Sequence, residues 1–257
     1  MRAMSFWRLG WLAVLSNVLS NSRREFLIAA GFLPFFWRRD RVKMAGISFR
    51  VVHRGSSPHR YLHIHGNETT ARDVVMEQVN AHGGKALLIQ SDTRNVPLQG
   101  GQIDPNRMFS REGAEKNLRT LNPGWSEAQI ENGALALERD RHKFLKAIRP
   151  PKGGRIVALH NNSNGYSVES EVAISDKTSL KDASNPHEFF LATDPRDFEV
   201  LAKSPFNVVL QNTGPKDDDG SLSRLATKLG IRYINLECGL GKIDRQRELL
   251  AWLEGNV

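Results

Sequence analysis

The chain has 257 residues, one cysteine and a formal net charge of +8, with 40% apolar and 25% charged residues. That length fits one domain with a full core, and the composition is ordinary for a soluble globular protein. A single cysteine, Cys238, excludes an intrachain disulfide and a cysteine-based zinc site. Residues 1–43 hold eight Lys and Arg against Glu25 and Asp40, so +6 of the charge sits there and the remaining body carries only +2; that distribution speaks against a nucleic acid or other polyanion as partner.

Near the start, Ser22-Arg23-Arg24-Glu25-Phe26-Leu27 precedes an apolar run from Ile28 to Trp37. A twin arginine before a short apolar stretch is the pattern of a Tat-type export signal. The run is too short to span a bilayer as a stable helix. No small-x-small cleavage site follows Trp37; Arg38, Arg39, Arg41 and Lys43 come next, so retention as a membrane anchor stays open. We expect residues 1–44 to be a leader (Tat-type signal or anchor) of an exported, periplasmic or extracytoplasmic protein, and residues 45–257 to form the folded domain.

From residue 47 onward, short apolar runs alternate with amphipathic stretches. Residues 47–53 and 61–65 read as strands, and 70–81 as a helix stopped by Gly83-Gly84. Residues 86–90 are the next strand. The longest helical stretch, 127–148, ends at Pro150-Pro151. Residues 155–159 form a continuous apolar run that suits the middle of a sheet. Residues 161–187 are polar and read as a long loop or hairpin. Strands at 188–192 and 207–210 flank a helix near 195–203, and a loop with Asp217-Asp218-Asp219-Gly220 leads into a helix near 221–229. A strand at 232–236 and a helix at 244–253 close the chain. This alternation predicts a three-layer α/β/α sandwich around a mixed, largely parallel sheet, with sites gathered at the carboxyl ends of the strands.

The chemically suggestive residues fall at those ends. His65-Gly66-Asn67-Glu68 offers His and Glu in an H-x-x-E pair, and catalytic zinc wants three ligands of this kind plus an open position. Asp104-Pro105-Asn106-Arg107 follows about forty residues later; a guanidinium fork with a neighbouring amide can grip a carboxylate. His160-Asn161-Asn162 closes an apolar strand, and Tyr233-Ile234-Asn235-Leu236-Glu237 ends another on a carboxylate. In this order the set resembles the zinc carboxypeptidase (metallocarboxypeptidase) family over about residues 60–250. Asp104-Pro105-Asn106-Arg107-Met108-Phe109, His160-Asn161-Asn162 and Asp218-Asp219-Gly220-Ser221-Leu222-Ser223 look most like a compact bacterial branch of it.

The resemblance implies one Zn2+ held by His65, Glu68 and His160, Glu237 as general base, and Asn106 with Arg107 on the substrate's free carboxylate. By analogy, Arg94 is the cation beside the developing oxyanion. The implied activity is metal-dependent hydrolysis of a peptide or amide bond next to a free carboxylate. An alternative is an N-acyl amino acid amidohydrolase, like the aspartoacylase and succinylglutamate desuccinylase branch, and a further one is a non-catalytic binding module. The expected partners are a peptide or N-acyl amino acid substrate, with no nucleic acid and with membrane attachment through the leader left open. The family's substrate-capping tyrosine has no counterpart at a matching motif; Tyr166 and Tyr233 are the nearest. His63, Cys238 and the 217–219 acids read as a packed histidine, a small packing residue and a solvated turn.

Overall fold

The computed structural model describes residues 41–162, 166–214 and 218–257. The twin-arginine reading, like Asp217, therefore lies outside the described residues. In chain order the elements are β1 (Arg41–Met44), β2 (Ile47–Arg54), β3 (Arg60–His63), α1 (Thr69–His82), β4 (Gly84–Ile89), β5 (Val96–Leu98), β6 (Gly101–Ile103), a 3-10 turn at Pro105–Arg107, α2 (Arg111–Leu121), α3 (Glu127–Ile148), β7 (Ile156–Asn162), α4 (Val168–Val172), β8 (Lys177–Ser179), β9 (Phe189–Ala192), α5 (Pro195–Leu201), β10 (Asn207–Leu210), α6 (Leu222–Leu229), β11 (Tyr233–Gly239) and α7 (Ile243–Asn256).

Nine strands form one mixed sheet in the order β1-β2-β4-β3-β7-β11-β9-β10-β8, and β5 and β6 form a separate hairpin. The four central strands β4, β3, β7 and β11 run parallel, while β1, β2 and β8 pair antiparallel at the margins. Helices covering both faces require the central strands to be apolar on both sides, and β7 is buried along its whole length. Its residues alternate between two cores. Ile156 and Ala158 join Leu118 of α2 and Leu137 and Phe144 of α3. Val157 and Leu159 join Val74 and Val79 of α1 and Leu249 and Leu253 of α7. The fold is thus the α/β three-layer arrangement that the alternation predicts.

Local chemistry sets the helix starts. Ser126 and Gln129 form a reciprocal capping box before α3, and the Ser110 hydroxyl accepts from Gly113 N before α2. Three features differ from the sequence reading. The sheet already begins at Arg41, inside the 1–44 segment expected to be leader. Helix α2 had no counterpart in the reading, because only three of its eleven residues are buried, Gly113, Ala114 and Leu118, which is too sparse a stripe to signal a helix. The polar 161–187 stretch contains α4 and β8, whose five and three residues are too short to show a period.

Candidate metal centre and substrate cavity

The centre sits at the carboxyl ends of β3, β7 and β11. Strand β3 stops at His63, and the chain turns sharply through Gly66 to carry His65 and Glu68 back toward β7. A side chain at Gly66 would place a Cβ 2.1 Å from Ser91 O, so the close approach of the β4 exit strand demands glycine there. Glu68 then caps α1. On β7 and β11, His160 and Glu237 are register partners across the parallel ladder, and both lie on the same face as the core residues Ile156, Ala158 and Tyr233. Four ionisable side chains are thereby removed from water: His65, Glu68, His160 and Glu237 are 1%, 2%, 4% and 5% exposed.

Glu68 lies between the two histidines. Its Oε1 is 2.7 Å from His65 Nδ1, and its Oε2 is 3.2 Å from His160 Nδ1 while making no hydrogen bond. One ligand atom from each of the three residues falls within 4.8 Å of the others. Catalytic zinc takes three His or carboxylate ligands, so this donor set fits one such ion by type and number, with a buried, unsatisfied carboxylate oxygen among its donors. His65 Nε2 donates to Asp104 Oδ1 at 2.8 Å, the outer contact that usually orients a metal-binding imidazole, while Nδ1 faces Glu68. Burial alone would lower the His65 pKa, but the Glu68 and Asp104 carboxylates outweigh it and raise it to about 9. Conversely, burial would raise Glu68, but His160 and His65 hold it well below the usual carboxylate range. Both shifts have one cause, the close packing of imidazoles against carboxylates in a buried cluster.

Glu237 behaves in the opposite sense. Burial, reinforced by the Glu68 charge and opposed by His160, pushes its carboxyl up, as a proton-shuttling carboxylate requires. Two amides fix its orientation: Asn235 donates to Oε1 at 2.9 Å and Asn162 to Oε2 at 3.3 Å. Asn161, next to the ligand His160, accepts from Ala71 N in the first turn of α1 at 2.8 Å and donates to Gln246 of α7 at 2.9 Å. The His-Asn-Asn run thus brings His160 to the cluster, ties down the first turn of α1, and holds the Glu237 carboxyl. Sequence reasoning missed the supporting roles of Asp104, Asn161, Asn162 and Asn235, although Asn235 stands two residues from Glu237 on the same strand face.

The other expected residues line the same cavity of ≈ 320 Å3. Arg94, half exposed, donates to Glu68 Oε1 at 3.2 Å and Asp104 Oδ2 at 3.4 Å. Asn106 Oδ1 accepts from Leu222 N at the start of α6 at 3.1 Å, which leaves its amide NH2 for a ligand. Arg107 donates to Asn106 O at 2.7 Å and stands 3.8 Å from Asp219. Gly220 joins these loops: its φ is +77° and a Cβ there would meet Arg107 O at 2.4 Å. Arg224 of α6 and Tyr166 also line the cavity. The Tyr166 hydroxyl donates to Glu171 at 2.7 Å. His63 is fully buried, with Nε2 donating to the Glu68 carbonyl at 3.1 Å. Cys238 is buried, and that burial pushes its thiol up to about 12, which suits packing and not reactivity. Asp219 accepts from Ser221 N at 2.9 Å just ahead of α6, a turn role.

No family model matches this chain, and no curated protein matches it. Among solved structures it is similar to a succinylglutamate desuccinylase from a Silicibacter species, at 13% identity and a TM-score of 0.45, covering 82% of this chain and 61% of that one. The succinylglutamate desuccinylase of Chromobacterium violaceum gives 16% identity and a TM-score of 0.42, covering 82% and 66%. The apo ectoine utilization protein EutE (DoeB) of Ruegeria pomeroyi gives 13% and 0.42, covering 87% and 70%. The chain spans less than two thirds of the length of the two desuccinylases it matches.

Proposed function

We propose that this protein is a one-zinc amidohydrolase that cleaves the amide bond of an N-acyl amino acid next to its free carboxylate. The observation that carries the reading is the meeting of the buried His65, Glu68 and His160 with an up-shifted Glu237, the register partner of His160, inside one small cavity. At ≈ 320 Å3 the cavity lies at the small end of ligand sites, a size for one acylated amino acid rather than a length of peptide. Substrates of this class are those that the desuccinylase names denote.

Bound at His65, Glu68 and His160, zinc supplies Lewis acidity and a more acidic water. Glu237, fixed by Asn235 and Asn162, takes a proton from the attacking water and passes it to the leaving nitrogen. Arg94 faces the side of the cluster where negative charge grows on the former carbonyl oxygen. The amide of Asn106 and the guanidinium of Arg107 hold the free carboxylate, and Arg224 adds a second cation to that end. Export through a leader ahead of β1 belongs to the same proposal.

Metal content by mass spectrometry on the native protein and on His160→Ala tests it first. About one zinc per chain, lost in the variant, together with release of free acid from N-acyl amino acids and none from peptides, is the expected result. A protein without tightly bound metal overturns the mechanism. Cleavage of the last residue from peptides, with acylated amino acids left intact, replaces this reading with the carboxypeptidase one.

A further inference from the structure

The β1 margin of the sheet carries a charge pattern that the metal centre does not use. In the antiparallel pair of β1 and β2, Arg41 stands opposite Arg50 and Lys43 opposite Ser48. Val42, Met44, Ile47 and Phe49 turn to the core that holds Leu137 and Phe144 of α3, so the alternation puts Arg41, Lys43 and Arg50 together on the other face. All three are exposed. Among the described residues no carboxylate pairs with any of them; Arg50 Nη2 donates to Met76 Sδ of α1 at 3.6 Å. Next to Arg50, Arg72 of α1 pairs with the exposed Asp73 at 3.4 Å. Arg50 and Arg72 together line an open depression of ≈ 450 Å3, with Gln90, Ser91 and Asp92 on its wall. Arg41 and Lys43 are thus the part of the basic 1–43 stretch that is built into the sheet, and β2 and α1 add two more cations to them.

Charged side chains on an edge strand discourage pairing with other chains, but that role needs neither the inner Arg50 nor Arg72. Like charges directly opposite one another in a ladder are destabilising, so the Arg41 and Arg50 pair is a cost within the fold that an anionic partner offsets. In the sequence the apolar run 28–37 stops just ahead of β1, with Arg38, Arg39 and Asp40 between. An extended chain covers at most about 3.5 Å per residue, so a bilayer that holds this run lies within about 14 Å of Arg41. Stable attachment to a bilayer commonly takes two signals, an apolar one and a basic patch. We propose that the outer face of β1 and β2, with Arg41, Lys43, Arg50 and Arg72, docks the folded domain on an anionic lipid surface. Guanidiniums suit headgroup phosphates, which they hold by two parallel bonds. The patch adjoins the carboxyl end of β4, from which the chain passes through Ser91 to Arg94 at the metal-centre cavity. Docking therefore brings that cavity close to the bilayer, whatever bond the centre cuts.

The test is co-sedimentation of the full chain with vesicles of phosphatidylcholine alone, and of phosphatidylcholine and phosphatidylglycerol in equal parts. The unaltered protein should prefer the anionic vesicles, and less so as salt rises. Each Lys or Arg near an anionic surface is worth a factor of about five, so Lys43→Gln, Arg50→Gln and Arg72→Gln combined should weaken that binding about hundredfold. Binding to phosphatidylcholine alone should stay as it was, which separates this face from the apolar run. Equal binding of the unaltered protein to both kinds of vesicle overturns the inference, as does undiminished anionic binding in the triple variant. Tighter binding to short duplex DNA than to the anionic vesicles also overturns it, in favour of a soluble polyanion. Labelling of Lys43 by an amine reagent should slow when anionic vesicles are added; an unchanged rate overturns the inference whether or not the variant folds.

Discussion

At the amino ends of β3 and β7, buried charge of both signs is matched within the protein. Arg155 is 2% exposed and stands 3.0 Å from Glu254 of α7, and Arg232, just before β11, donates to Asp197 of α5 at 3.0 Å. At the carboxyl ends of β3 and β11, the buried carboxylates of Glu68 and Glu237 stand by two imidazoles, and Arg94, half of it in solvent, pairs with Glu68. One end sets guanidiniums against carboxylates; the other gathers two carboxylates and two imidazoles at the wall of a cavity. Equal burial therefore says little by itself. What separates a structural charge cluster from a working one is whether opposite charges are balanced within the fold.

Breaking each end in turn should give effects of different kinds. The largest is expected at Glu237: Glu237→Gln should lower kcat by about 10²–10⁴-fold, the range for a positioned general base, with zinc content and melting temperature near those of the unaltered protein. Loss of zinc in that variant would move Glu237 from acid–base work into the ligand set. At the opposite end, Arg155→Met strands Glu254 and should cost about 3 kcal/mol of stability. Denaturant titration would show it, with zinc binding retained. A variant as stable as the unaltered protein would mean that the amino-end pair is not a structural clamp.

Smaller effects sharpen the contrast. Asp104→Asn removes the charge that steadies His65 and should weaken zinc affinity by about 10–100-fold, measured by competition with a chelator; unchanged affinity would strip Asp104 of its supporting role. The smallest effect concerns His59 at the amino end. Burial first, then Arg155, Arg232 and Arg60, lower its pKa from 6.5 to about 4. Between those values the unfolded chain takes up a proton that the folded one refuses, so stability is full above pH 6.5 and falls toward pH 4. The slope is at most about 1.4 kcal/mol per pH unit for one proton. His59→Gln should flatten this part of the stability–pH curve, and an unchanged slope would assign it to other groups.

Much of this was legible because the signals were local. The apolar runs ending at His65, His160 and Glu237 show strands of a buried sheet, and in such sheets the residue just past the run lies at the carboxyl edge. The Pro150-Pro151 stop and the 3.6-residue period mark α3. Where the signal was thin the reading failed: α2 has a sparse apolar stripe, α4 and β8 are shorter than any period, and β1 lies among basic residues that look like leader.

The sequence by itself determined the layered α/β plan and singled out His65, Glu68, His160, Glu237, Arg94, Asn106 and Arg107, which line one cavity, since hydrophobic period and donor chemistry are properties of the chain. Only the tertiary structure decided what they touch. Register across β7 and β11 sets His160 beside Glu237. Asp104 reaches His65 from 39 residues away, Asn162 reaches Glu237 from 75, and Gln211 reaches Glu171 from 40. Such pairings depend on how the layers stack, and no spacing along the chain encodes them.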